Sequence, residues 1–172
     1  MPAEHIPRII EDLTQVMAKI VASHPGRRCV LASGLAEGAD RFAAFVALGL
    51  GWKLRALLAF HRTRFEQDFP GKYATGEFRA LLEASSAVEE PRKGWERGRP
   101  AEDGYHAVGE RLLALSEILI AVWDGEGSRG RGGTVDVIEA ARARGIPVMW
   151  VHAAKAQSPK LLKPKIAKRK AA

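Results

Sequence analysis

Two stretches of this 172-residue chain combine glycine with residues able to hold an anion. The first is Ser33-Gly34-Leu35-Ala36-Glu37-Gly38-Ala39-Asp40. Gly34 and Gly38 let the backbone turn tightly and approach a ligand with no Cβ in the way. The second is Trp123-Asp124-Gly125-Glu126-Gly127-Ser128-Arg129-Gly130-Arg131-Gly132-Gly133-Thr134, with five glycines between positions 124 and 133. Gly132 and Gly133 again permit close approach, Thr134 adds a hydroxyl donor, and Arg129 and Arg131 supply guanidinium groups to close over an anion. Each stretch joins an apolar run to a helical pattern. Each is therefore expected to aim unpaired helix N–H groups, and the positive end of the helix dipole, at a phosphate. Neither is a nucleoside-triphosphate P-loop, because no lysine follows the Gly-Gly pair. Neither has the dinucleotide G-x-G-x-x-G at the required position.

Three carboxylates, Asp136, Glu37 and Asp40, are the candidates for general acid or base chemistry. Trp123 is placed to stack on a base and Asp124 to hold a ribose hydroxyl; a packing tryptophan and a turn-forming aspartate are the plainer account. Arg62 and Arg64 follow the second apolar run, where a ligand phosphate would lie. Tyr105 opens a helix after a polar loop and either leans over the pocket or packs. Trp95 stands among Arg92, Lys93, Arg97 and Arg99, the basic–aromatic interleaving of a single-strand surface, but Glu96, Glu102 and Asp103 offset it. Trp52 and Trp150 read as packing residues. Cys29 is the sole cysteine, which excludes an intrachain disulfide and fits a buried, inert thiol. His5, His24, His61, His106 and His152 show no metal-ligand spacing, so neither a metal nor another cofactor is expected.

Hydrophobic residues make up 47% of the chain and charged residues 27%, the balance of a globular protein, which excludes disorder throughout. No apolar run approaches the ~20 residues of a membrane-crossing helix. With no basic-then-apolar leader at residues 1–11, a cytoplasmic location is expected. The net charge of +7 is localised. Lys155, Lys160, Lys163, Lys165, Lys168, Arg169 and Lys170 carry it, so residues 1–154 are neutral. The sequence predicts one domain over 1–154 and a basic, flexible tail over 155–172, broken by Pro159 and Pro164. Any nucleic-acid contact would run through that tail and weaken with salt.

The elements that hold the two loops follow from periodicity. Ile9, Leu13, Val16, Met17, Ile20 and Val21 recur on one helical face over 8–22, and His24-Pro25-Gly26 ends it. Strands are predicted at Cys29–Ala32, Leu54–Phe60, Glu117–Trp123 and Ile146–His152, with a short one at Ala87-Val88. Helices are predicted over 38–50, from Thr75 onward, over Tyr105–Leu115 and over Thr134–Ala143. Continuous apolar strands alternating with helices predict an α/β fold: a Rossmann-like, doubly wound, mostly parallel sheet of about five strands with helices on both faces. Ligands of such sheets sit beyond the carboxyl ends of the strands, where both glycine loops fall.

The first loop, followed by an Ala/Phe-rich helix and Leu48-Gly49-Leu50-Gly51, resembles the S-G-L-A-x-G-I/A-D segment of the DNA-processing Smf/DprA family. The strand Ile118–Trp123 with Gly132-Gly133-Thr134 looks like the second signature of the SLOG superfamily, which also holds the LOG phosphoribohydrolases. Phe65-Glu66-Gln67-Asp68-Phe69, Glu77-Phe78 and Tyr105-x-x-x-Gly109 are similar to a bacterial SLOG subgroup of unassigned role. The resemblance spans roughly 8–152. It implies binding of a nucleotide or nucleotide-derived small molecule, as a sensor, and a homodimer. It offers two alternatives, LOG-like cleavage of a nucleotide N-glycosidic bond and DprA-like binding of single-stranded DNA. Two departures stand out. SLOG domains open with a strand and a glycine loop before the first helix, whereas this sequence starts almost at the helix, so that strand is absent, replaced or cut away. LOG enzymes also carry P-G-G-x-G-T-x-x-E, and the position of that glutamate is Val137 here, with Asp136 one residue earlier.

Overall fold

The computed structural model describes residues 2–69, 71–127 and 132–165. Helix α1 (Ile6–Ser23) forms on the predicted stripe, with Ile9, Leu13, Val16 and Met17 buried. It is followed by β1 (Val30–Ser33), α2 (Ala39–Gly49), β2 (Lys53–Leu57), a one-turn α3 (Arg62–Phe65), α4 (Gly71–Ala84) and β3 (Ala87–Glu89). Then come α5 (Ala101–Leu115), β4 (Leu119–Trp123), α6 (Thr134–Ala143), β5 (Val148–His152) and β6 (Lys160–Leu162).

The fold is α/β, but its strands do not make one sheet. β1, β2 and β3 form a parallel three-stranded sheet. β4 and β5 pair in parallel, Leu119 opposite Val148 through Trp123 opposite His152, and β6 adds antiparallel to β5. Among the described residues, the expectation of a single sheet of about five strands is thus corrected to six strands in two sheets, because β1 and β4 do not pair with each other. The tail expectation changes too. Residues 160–162 lie on the sheet edge, the Lys165 N–H donates to the Arg142 carbonyl, and the Arg142 guanidinium donates to the Lys163 carbonyl. A lysine-bearing edge strand keeps its charges in water while its backbone pairs, which is why composition alone reads it as an appendage. Residues 166–172 lie outside the described residues.

Helices cover both faces of the β4–β5 pair. α1 packs Ile9, Leu13 and Val16 with Val151, Ile120 and Val122 on one face. Leu113 of α5 and Ile138 and Ala141 of α6 pack with Ala121 and Val148 on the other. α2 and α4 bury Ala44, Phe78 and Leu81 with Leu54 and Ala56 of β2, and Phe60 and Phe65 join them. Arg8 anchors the start of α1 to the end of β5, donating to the His152 carbonyl at 2.8 Å and pairing with Asp12 at 2.7 Å. No helix among the described residues is long and apolar enough to cross a membrane.

Candidate functional site

The loops after β1 and β4 converge on one cavity of about 1530 Å³ that runs between the two sheets. Ser33, Gly34, Ala36 and Asp40 line one wall at the carboxyl ends of the strands; Gly132, Gly133 and Thr134 line the other. Ala59, Phe65, Glu102 and Tyr105 complete that end.

In the first loop the chain turns sharply. Leu35 adopts φ +53° with its side chain fully buried, and Gly38 reaches φ +96° directly before α2. Ser33 Oγ accepts the Leu35 N–H at 3.2 Å and donates to the Asp40 carbonyl at 3.4 Å. The Asp40 carboxylate accepts the Ala36 N–H at 3.4 Å. A Cβ on Gly34 would stand 3.0 Å from that carboxylate, so the glycine makes room for Asp40. Desolvation pushes the half-buried Asp40 above the ordinary carboxylate range, against the backbone N–H groups of Ala36 and Gly34 and the Arg41 charge, which pull it down.

In the second loop, Asp136 Oδ2 accepts the Gly132 N–H at 3.0 Å. Gly132 sits at φ +80°, and a Cβ there would lie 2.8 Å from the His106 backbone nitrogen. Its freedom therefore serves the close approach of this loop to α5. Val137 packs against Gly109 of α5, where a Cβ would be 3.0 Å from the valine methyl, and lines the same cavity. Tyr105 meets Phe60 edge-on at 5.5 Å. Burial, with Asp68 adding and Arg64 opposing, raises its phenol, which stays a hydroxyl donor at neutral pH.

Other expected site residues lie off this cavity. Glu37 is exposed. Arg62 forms a two-pronged pair with Glu90, closest at 2.8 Å, and Arg64 pairs with Asp68 at 2.5 Å. Trp123 lies 5.4 Å from Trp150 between centroids, and its indole N–H donates to the Glu126 carbonyl. Asp124 accepts the Glu126 N–H, the geometry of a turn former, beside Gly125 at φ +88°. Arg129 and Arg131 lie outside the described residues. Glu102 is a wall residue that periodicity assigned to a loop; Pro100, standing just before α5, was the available signal for an earlier helix start. Among the described residues no cluster of His, Cys, Asp and Glu is arranged to hold a metal ion. No protein-family model and no curated protein matches the chain.

Proposed function

We propose that this is a Rossmann-like, SLOG-type domain that binds a nucleotide or nucleotide-derived small molecule. The observation that carries this reading is the convergence of the Ser33–Asp40 and Gly132–Thr134 segments on one cavity above parallel strands. That is the position where α/β sheets hold ligands. Tyr105 and Thr134 offer hydroxyls there, and Gly132 and Gly133 keep the second wall thin. Helices on both faces of the β4–β5 pair support the doubly wound arrangement. The test is a thermal-shift and calorimetric titration with AMP, GMP, CMP, UMP and cyclic nucleotides, since a ligand of the folded state alone raises its stability. Gly133→Glu fills the second wall and adds a repelling charge, so it abolishes the response. Unchanged affinity in that variant, or no response to any nucleotide in the parent, removes the assignment.

One observation favours a second reading, N-glycosidic cleavage. Asp40, held above its usual range in the cavity, is suited to give a proton to a departing base. With Val137 at the position where the LOG family has glutamate, turnover would rest on Asp40, so free base released by the parent and not by Asp40→Asn would favour hydrolysis over binding.

A further inference from the structure

At the loop end of the cavity, the first turns of α5 bring a carboxylate and an aromatic ring to one wall. Gly104 sets their position. A Cβ there would lie 2.6 Å from the Ala59 carbonyl oxygen, so glycine lets α5 start close against the chain leaving β2. Glu102 and Tyr105, three residues apart and so on one helix face, line the cavity; Asp103 between them is not a wall residue. Tyr105 is 38% exposed, and its ring is held by the edge-on contact with Phe60.

The backbone of Tyr105 and His106 meets the second glycine loop. A Cβ on Gly132 would stand 2.8 Å from the His106 nitrogen and 3.2 Å from the Tyr105 carbonyl carbon. Tyr105 therefore adjoins the Gly133-Thr134 helix start. Glu102 stands nearly one turn further off, about 4.5 Å along the α5 axis at the helical rise. Its Cβ tilts toward the start of α5, away from Gly132.

Glu102 has neither hydrogen bond nor ion pair among the described residues, and no side chain caps α5. Glu66, Glu89, Glu90, Glu110 and Glu139 are each held by an arginine or lysine. An ionised carboxylate only accepts hydrogen bonds. It repels a phosphate, which is left to Gly133-Thr134, and it selects the end of a nucleotide that carries N–H groups. Guanine presents two neighbouring donors there, the ring N1–H and the exocyclic amino group, spaced to meet two carboxylate oxygens. Adenine and cytosine set an amino group beside a ring nitrogen whose lone pair would face the second oxygen. Uracil has one N–H between two carbonyls. Two charge-assisted bonds therefore form with guanine and not with the other three bases.

We propose that Glu102 reads the Watson–Crick edge of guanine while the Tyr105 ring supports the base, so that the ligand is a guanosine nucleotide. This rests on the nucleotide reading of the same cavity and names its substrate class.

The test is calorimetric titration of the full chain with GMP, AMP, CMP, UMP and xanthosine monophosphate, in the parent, Glu102→Gln and Asp103→Asn. The parent is expected to bind GMP roughly 10–100-fold more tightly than AMP, CMP or UMP. In Glu102→Gln the side chain offers one acceptor and one donor, which match the N1–H and C2 carbonyl of xanthine. GMP should then weaken by about tenfold or more, and xanthosine monophosphate should gain by a similar factor. That gain cannot come from a damaged fold. Asp103→Asn, in the same helical turn but off the cavity, should keep the GMP preference, which separates base reading from the charge of the helix start. Equal affinity for the four common bases, or a GMP preference that survives Glu102→Gln, overturns the proposal and leaves the nucleotide reading standing. Absence of binding by every nucleotide removes both.

Discussion

Asp136 reaches back four residues to take the Gly132 N–H at 3.0 Å, and by doing so it closes the start of α6 with a carboxylate of its own chain. Asp40 does the same to Ala36 at the start of α2. Each glycine loop thus carries an internal carboxyl group near the place where a ligand phosphate is proposed. Asp136→Ala is expected to cost about 0.5–2 kcal/mol by denaturant unfolding, the usual worth of an N-terminal side-chain bond. Asp136→Asn keeps a hydrogen-bonding oxygen and removes the repulsion, so nucleoside monophosphate affinity should rise. A fall in affinity would place the phosphate elsewhere.

Gly104 and Gly76 separate close approach from mere helix position. A Cβ on Gly104 would lie 2.6 Å from the Ala59 carbonyl and 2.8 Å from the Phe60 ring, both fixed in the core. Gly104→Ala is expected to destabilise by about 1–3 kcal/mol through overpacking. Gly76 in α4 has open space around it, so Gly76→Ala should stabilise by about 0.4–1 kcal/mol. Urea titrations of the two variants should move in opposite directions.

The elevated Asp40 makes stability fall as pH rises. In the folded chain its carboxyl keeps a proton that the unfolded chain has already released. Its favourable share is complete below the ordinary aspartate value and is lost as pH climbs through the folded-state value. Asp40→Asn should flatten that limb of a stability-against-pH curve, and an unchanged slope would show that the carboxyl titrates normally.

His152 acts in the opposite sense. It is 4% exposed, stacked on Trp150, and its Nδ1 accepts N–H bonds from Ala154 and Lys155 at 3.0 Å each. Desolvation, with Lys155 and Arg8 adding and Asp124 opposing, depresses its pKa. The stability it supplies is present above the ordinary histidine value of about 6.5 and is lost as pH falls through the folded-state value. His152→Gln should weaken the acid dependence and cost about 1–3 kcal/mol through unpaired donors.

Two truncations divide the basic end. Ending the chain after Ala154 removes β6 and its pairing with β5, so the thermal midpoint should drop. Ending it after Lys165 removes Lys168, Arg169 and Lys170 and leaves β6, so the midpoint should hold while any affinity for single-stranded DNA falls with a shallower salt slope. Equal DNA binding by the full chain and the second truncation would take these three charges out of the interface.

What the sequence determined by itself was local. The stripe Ile9–Leu13–Val16 gives α1, Thr134 after Gly133 starts α6, and the run to Trp123 gives β4, because periodicity and chain-breaking residues act within a few positions of themselves. The α/β class and the position of both glycine loops at strand ends follow from that order. Tertiary structure decided the rest. Whether β1 pairs with β4 depends on residues 89 apart, and no local signal reports that the two strands instead line one cavity from separate sheets. Gly132 was legible as a place of close approach, but only the packing reveals His106 as what it approaches. Trp123 and Asp124 looked free for a ligand until the partners arrived, Trp150 from a separate strand and the Glu126 backbone from the turn itself. Lys160–Leu162 has too few apolar residues to announce a strand, and it becomes one because β5 offers an edge whose backbone groups must be paired.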